Sequence, residues 1–180
     1  YTQENVVSTT VDRFIGFRPV AEVPTEAMQA TVDYPECKLE IAKSLGACKV
    51  GQAVLCEYRS DTANTYGSFN FNPDKSKEKI SDPASTTPNG LFYFVCVGKA
   101  FSGAKKFIAD RNIQTGISWE VLNTAGFCVT SGRDMSEETG IKGSLMRLIH
   151  SDVTNYDMDL SSSEWDQVLM QSTIGGTDIS

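Results

Sequence analysis

The chain holds one histidine, His150, and its five cysteines (Cys37, Cys48, Cys56, Cys96 and Cys128) include no C-x-x-C pair. Together these argue against the usual zinc cages, which take four ligands from Cys and His at short, regular spacings. A catalytic base at His150 would need a nucleophile beside it, and no motif such as G-x-S-x-G provides one. A structural or surface histidine is the simpler reading. Gly175-Gly176 is not followed by GK[ST], so it reads as a helix stop, not a phosphate loop. No apolar run approaches the roughly 20 residues of a membrane helix, which argues against membrane insertion. The opening YTQENVVSTT lacks both the basic region and the apolar core of a signal peptide.

Positive charge is also scarce. Lys and Arg total 16 against 23 Asp and Glu, a formal charge of −7 over 180 residues. A binder of phosphate backbones draws its affinity from clustered Lys and Arg. The densest basic groups here are Lys105-Lys106 and the mixed run DKSKEK, whose acids cancel much of its charge. Nucleic acid is therefore not an expected partner, and the acidic balance favours solubility. The odd cysteine count leaves at least one thiol free or bonded to another chain. Cysteines as small core residues are the plain reading. The sharper one is a disulfide from Cys37 to Cys48 or Cys56, which requires an oxidising setting.

What is present is a series of short, strand-like runs broken by Gly, Asn and Pro, 40% hydrophobic overall. This pattern predicts a mainly β fold with short helices (α+β) in three segments. Residues 1–24 contain FIGFRPVAEV, a strand in which Pro19 argues for an edge position or a break. Residues 25–88 suggest a small antiparallel β unit, with a strand near 27–32. Positions 39–45 are open between a strand and a single helical turn ending at Gly46. KVGQAVLCEYRS alternates as a half-buried strand does, and YGSFNFNP adds another. Residues 72–89 turn to Asp, Lys, Ser, Thr and Pro and read as an exposed loop or linker.

Residues 89–180 open on LFYFVCV (91–97), apolar on both faces and so expected as a central, covered strand. A shorter strand follows at 106–109. Ser118 is placed to cap a helix from Trp119 to Gly126, with Glu120 in its first turn. GIKGSLMRLIHS reads as a strand and SSSEWDQVLMQST as a helix capped by Ser163, with Trp165, Val168 and Leu169 on one face.

Asp152, Asn155, Asp157 and Asp159 gather hard oxygen ligands of the kind calcium favours. Their spacing is not that of an EF-hand, and a solvated acidic loop is the simpler reading. Glu164 and Asp166 bracket Trp165, but residues two apart on a helix point in different directions. Their place in a first helical turn explains them without glycosidase chemistry. Trp119 and Trp165 sit on amphipathic helical faces, so core packing is expected of both rather than stacking on sugars.

The runs TPNGLFYFVCVGK, IADRNIQTGISWEVLNTAGF, LMRLIHSDVT and EWDQVLMQSTIGG, together with GFRPV, resemble modular surface proteins of bacteriophage and prophage virions. In that arrangement an EWD helix opens a C-type-lectin-like module that a GFRPV strand completes. Here the closing strand stands first and the opening helix last, which implies a permuted module or a window from a longer polypeptide. Residues 1–24 then close a preceding module, and 89–180 form a second that is incomplete at its C-terminus. Residues 14–20 would need partner strands from elsewhere, such as a neighbouring copy. The resemblance implies a non-enzymatic virion structural protein of the tail, collar or fibre apparatus, without a cofactor unless calcium binds. Its partners would be copies of itself, neighbouring virion proteins and a host-surface glycan. Residues 91–97 and Trp119 are expected in the core, with Phe17 and Arg18 at a module junction. The alternative is a secreted or cell-surface bacterial adhesin or carbohydrate-binding module.

Overall fold

The structure, a computed structural model, describes residues 17–23, 31–32, 39–81, 83–99, 103–129, 131–149, 173–174 and 177–178. The fold is mainly β with short helices, as the strand-like runs predict. In chain order the described elements begin with strands β1 (Pro19–Val23), β2 (Thr31–Val32), β3 (Ile41–Ala42), β4 (Ala53–Arg59) and β5 (Ser68–Asn70). Then come β6 (Asn89–Lys99), β7 (Lys105–Ala109), helix α1 (Trp119–Thr124), β8 (Arg133–Asp134), α2 (Ser136–Thr139) and β9 (Leu145–Leu148). The pair β10 (Thr173–Ile174) and β11 (Thr177–Asp178) stands apart as its own two-stranded sheet.

Nine of the described strands join in one sheet, in the order β2-β3-β4-β6-β7-β1-β9-β8, with β5 also paired to β4. Only β3 and β4 run parallel among these pairs, meeting at Ile41 and Ala53. The centre is β6, apolar on both faces as LFYFVCV predicts. Phe92, Phe94 and Cys96 enter the larger cluster of buried side chains, while Leu91, Tyr93 and Val95 join a smaller one. Strand β4 lies antiparallel to it over seven positions, from Ala53↔Val95 to Arg59↔Asn89. This pairing runs directly across the expected boundary at 88/89, so strands from both expected segments share one sheet.

Pairing with β6 also corrects the expectation that β4 is half-buried. All of its residues except Arg59 are buried, because Ala53 and Leu55 pack beside Ile41 and Tyr93 while Val54, Cys56 and Tyr58 face the aromatic cluster. Alternation in sequence shows that successive residues see different faces. It cannot show that both faces are covered.

Strand β1 departs further from expectation. It is an interior strand, antiparallel to β7 (Val20↔Ile108) on one side and to β9 (Val20↔Arg147) on the other. Pro19 is tolerated because it is the first residue, where the missing N–H costs least. The partners expected from a neighbouring copy are thus supplied by the same chain. Phe17 is fully buried, and its ring meets Phe127 edge-on at 5.2 Å. Arg18 donates from Nε to the carbonyl of Ala109 (2.7 Å) and from Nη2 to that of Asp110 (2.8 Å). Arg18 thus ties the start of β1 to the end of β7, and Phe17 ties it to the backbone of Ile113 and Gln114, joins made inside one chain.

The described residues between β5 and β6 form a loop, but an anchored one. Ile80 and Ala84 are buried, and Lys79 bridges to Leu91 in parallel register. Gly90 is required there: a Cβ at this position would lie 2.8 Å from the carbonyl oxygen of Glu78. Within 39–45 the chain resolves into the two-residue β3 and then a turn in which Cys48 N–H reaches the Ser44 carbonyl at 3.1 Å.

Candidate interaction surface

Three loops meet beyond one end of β4, and a single buried pair of side chains ties them together. Tyr58, fully buried, donates its hydroxyl to Gln114 Oε1 at 2.5 Å and accepts the N–H of Gly67 at 2.6 Å. Gln114, also fully buried, donates from Nε2 to the carbonyls of Thr65 (2.9 Å) and Thr86 (3.1 Å). Ser60 Oγ donates to the Thr62 and Thr65 carbonyls, and Thr115 Oγ1 to that of Ala84. Residues 60–67, 84–88 and 113–118 therefore converge on one network. Among the described residues no buried side-chain nitrogen or oxygen lacks a hydrogen bond. Buried polar groups unmatched in this way would cost the fold heavily, and satisfied ones hold it in one geometry. Burial pushes the Tyr58 hydroxyl up to about 12, against the opposing pull of the Gly67 N–H.

On this base sits α1. Ser118 caps it as expected, its Oγ accepting the Val121 N–H at 3.4 Å, while its own N–H donates to Asn64 Oδ1 at 2.7 Å. Leu122 is the buried residue of the helix, with Val121 and Ala125 partly buried beside it. Trp119, like Glu120 and Thr124, is exposed, at 58%, which overturns its expected place in the core. A six-residue helix needs one inward patch, and Val121, Leu122 and Ala125 already fill it.

Exposed apolar surface continues around the same end. Tyr66, also exposed, packs edge-on against Phe127 at 5.6 Å. The Arg133 guanidinium lies 5.0 Å from the Tyr66 ring centre and 5.7 Å from that of Phe127, a geometry in which cation and ring attract. Val129 is exposed, and its neighbour Cys128 points its thiol at the Trp119 carbonyl, 3.9 Å away. An indole, a phenol and a guanidinium are thus held on fixed backbone. These are the side chains that carry most energy at protein interfaces.

Other candidates fall elsewhere. Asp152, Asn155, Asp157 and Asp159 lie outside the described residues, as do His150, Cys37 and the EWD segment with Glu164, Trp165 and Asp166. Among the described residues no three His, Cys, Asp or Glu side chains are placed to hold a metal ion. Cys48, Cys56 and Cys96 are free thiols that fill buried core positions, the plain reading of these cysteines, and Cys37, the partner in the sharper reading, lies outside the described residues. A cleft of about 110 Å³ opens where β3 and β5 flank β4, lined by Ile41, Val54, Leu55, Phe71, Lys43 and Lys75. No described helix is long and apolar enough to cross a membrane. Tyr58 and Gln114 carry no motif, and their partnership spans 56 positions. No local pattern could have revealed it. The chain matches no family model, no curated protein and no solved structure.

Proposed function

We propose that the chain is a non-enzymatic structural component of a bacteriophage particle, in the tail, collar or fibre apparatus. It acts in assembly and surface contact, and the face around Trp119 and Tyr66 is where it meets a neighbouring copy or another virion protein. The observation that carries the contact role is Trp119, 58% exposed on a helix whose inner side is already filled. Leaving so large an apolar side chain in water forgoes stabilisation that burial would provide. A contact made on assembly restores it. The virion setting rests on the resemblance of the GFRPV, SWEVLNTAGF and EWDQVLMQSTIGG runs.

Mass spectrometry of purified particles tests the setting, since the chain should be present at a fixed stoichiometry. Trp119→Ala should then leave the free chain folded but lower its incorporation into particles. Absence of the chain from virions overturns the proposal. A second reading, a carbohydrate-binding module, draws on the same exposed Trp119 and Tyr66, whose rings can stack on sugar faces. Glycan-array binding that Trp119→Ala abolishes, by a chain absent from particles, would select it.

A further inference from the structure

The turn after β3 brings Cys48 against Cys96 of β6. Gly51 N–H donates to the Cys96 carbonyl and Cys96 N–H to that of Gln52, both at 2.8 Å, so residues 48–52 run alongside Cys96. Both residues are fully buried in the same core cluster, the Cys48 Sγ reaching the Lys49 carbonyl at 3.7 Å and the Cys96 Sγ that of Gly98 at 4.0 Å. Lys105 closes the third side, its Nζ donating to the Gly46 carbonyl in the same turn. None of this belongs to the Trp119 face.

We propose that Cys48 and Cys96 are a redox-convertible pair, dithiol under reducing conditions and joined by a disulfide under oxidising ones. The neighbouring Cys48 side chain holds the Cys96 thiol below its ordinary value, helped by the Gly98 backbone and the Lys105 ammonium, all against the effect of burial. Cys48, which keeps the proton, is raised. Cys96 is therefore the attacking sulfur and Cys48 the resolving one, since the thiolate is the nucleophile.

The oxidant is a low-molecular-weight disulfide such as oxidised glutathione. The Cys96 thiolate attacks one of its sulfurs, breaking that S–S bond and releasing one glutathione thiolate, which takes up a proton. Cys48 then gives up its proton and attacks the Cys96 sulfur of the mixed disulfide, expelling the second glutathione. In sum the two cysteine thiols lose two hydrogens, and oxidised glutathione becomes two reduced molecules. Burial makes the exchange slow, because the 44–52 turn must open to admit the oxidant. The product ties that turn to the central strand and closes a loop of roughly 50 residues.

The test is peptide mapping of the full chain without reduction. One sample is equilibrated natively with oxidised glutathione, and another is refolded from denaturant in a glutathione buffer. A Cys48–Cys96 cross-linked peptide, with a mass lower by two hydrogens, is expected in at least one of them. Cys48→Ser and Cys96→Ser should each abolish it, while Cys128→Ser leaves it in place. The wild-type map stands whether or not the serine variants fold. Failure to find this link in both samples, or a dominant link between other cysteines, overturns the proposal.

Discussion

Replacing Tyr58 by Phe removes one oxygen from the centre of the fold and nothing else. The ring keeps its contacts with Phe17 (6.2 Å between centres) and Phe69 (4.8 Å). Two groups lose their partner: the side-chain Oε1 of the fully buried Gln114 and the N–H of Gly67. A buried polar atom left unpaired costs about 1–3 kcal/mol. Gly67 is partly open to solvent, and water can satisfy some of its loss. The expected destabilisation is therefore about 2–4 kcal/mol, or roughly 5–15 °C in melting temperature for a chain of this size.

Urea denaturation with a double-mutant cycle measures it. Gln114→Leu alone strands the Tyr58 hydroxyl and the carbonyls of Thr65 and Thr86. In the double variant the Tyr58–Gln114 pair is gone from both sides, so the two single losses should exceed the double by about 1 kcal/mol or more. A Tyr58→Phe loss below about 0.5 kcal/mol, or an additive cycle, would refute the reasoning. The same hydroxyl sets an alkaline limb. Its ordinary value is 10.0 and burial raises it to about 12, so the unfolded chain releases this proton first as pH rises. The stability this provides, about 3 kcal/mol, is whole below pH 10 and is lost as pH climbs to 12. Wild type should lose more stability across that window than Tyr58→Phe.

Three further outcomes follow from other parts of the structure. Trp119→Ala should change unfolding free energy by less than about 0.5 kcal/mol, because the ring makes little of the core; a loss above about 2 kcal/mol would show that it is structural after all. Gly67→Ala should fail to fold or lose well over 4 kcal/mol, since the new Cβ would lie 2.0 Å from the Arg59 carbonyl oxygen, and backbone at both positions blocks relief. Thermal melts or expression yield read this. If the Cys48–Cys96 link forms without strain, closing its loop should raise stability by about 4 kcal/mol, seen as a higher urea midpoint that a reductant reverses.

Local chemistry explains what could be anticipated. An apolar run such as LFYFVCV needs cover on both faces, and Ser118 before Trp119 offers a cap wherever the helix lies. Strands β4, β6 and β7 and the start of α1 follow from such signals. What escaped depends on distant residues. Pro19 suggested an edge because its own neighbourhood lacks a donor, yet β1 is flanked by strands from residues 105–109 and 145–148. Trp119 suggested a core because large apolar residues usually go inward. In so short a helix, Val121, Leu122 and Ala125 had already claimed that side. Cys48 and Cys96 show no local pairing signal, since they meet through the turn that returns the chain to β4.

The same non-local pairing accounts for how a surface of this kind can be rigid. Residues 60–67, 84–88 and 113–118 are loops, and loops on their own lose order easily. Here their carbonyls are consumed by Gln114 Nε2 and Thr115 Oγ1, and Asn64 holds the N–H at the start of α1. The ordering entropy of the Trp119 face has thus been offset during folding, and a partner docking there need not offset it again. Weakening the hub should therefore weaken contact at a distance. Tyr58→Phe, which touches no exposed residue of that face, should reduce particle incorporation under conditions where the variant remains folded. If incorporation follows only the fraction folded, the hub stabilises the chain without shaping its surface.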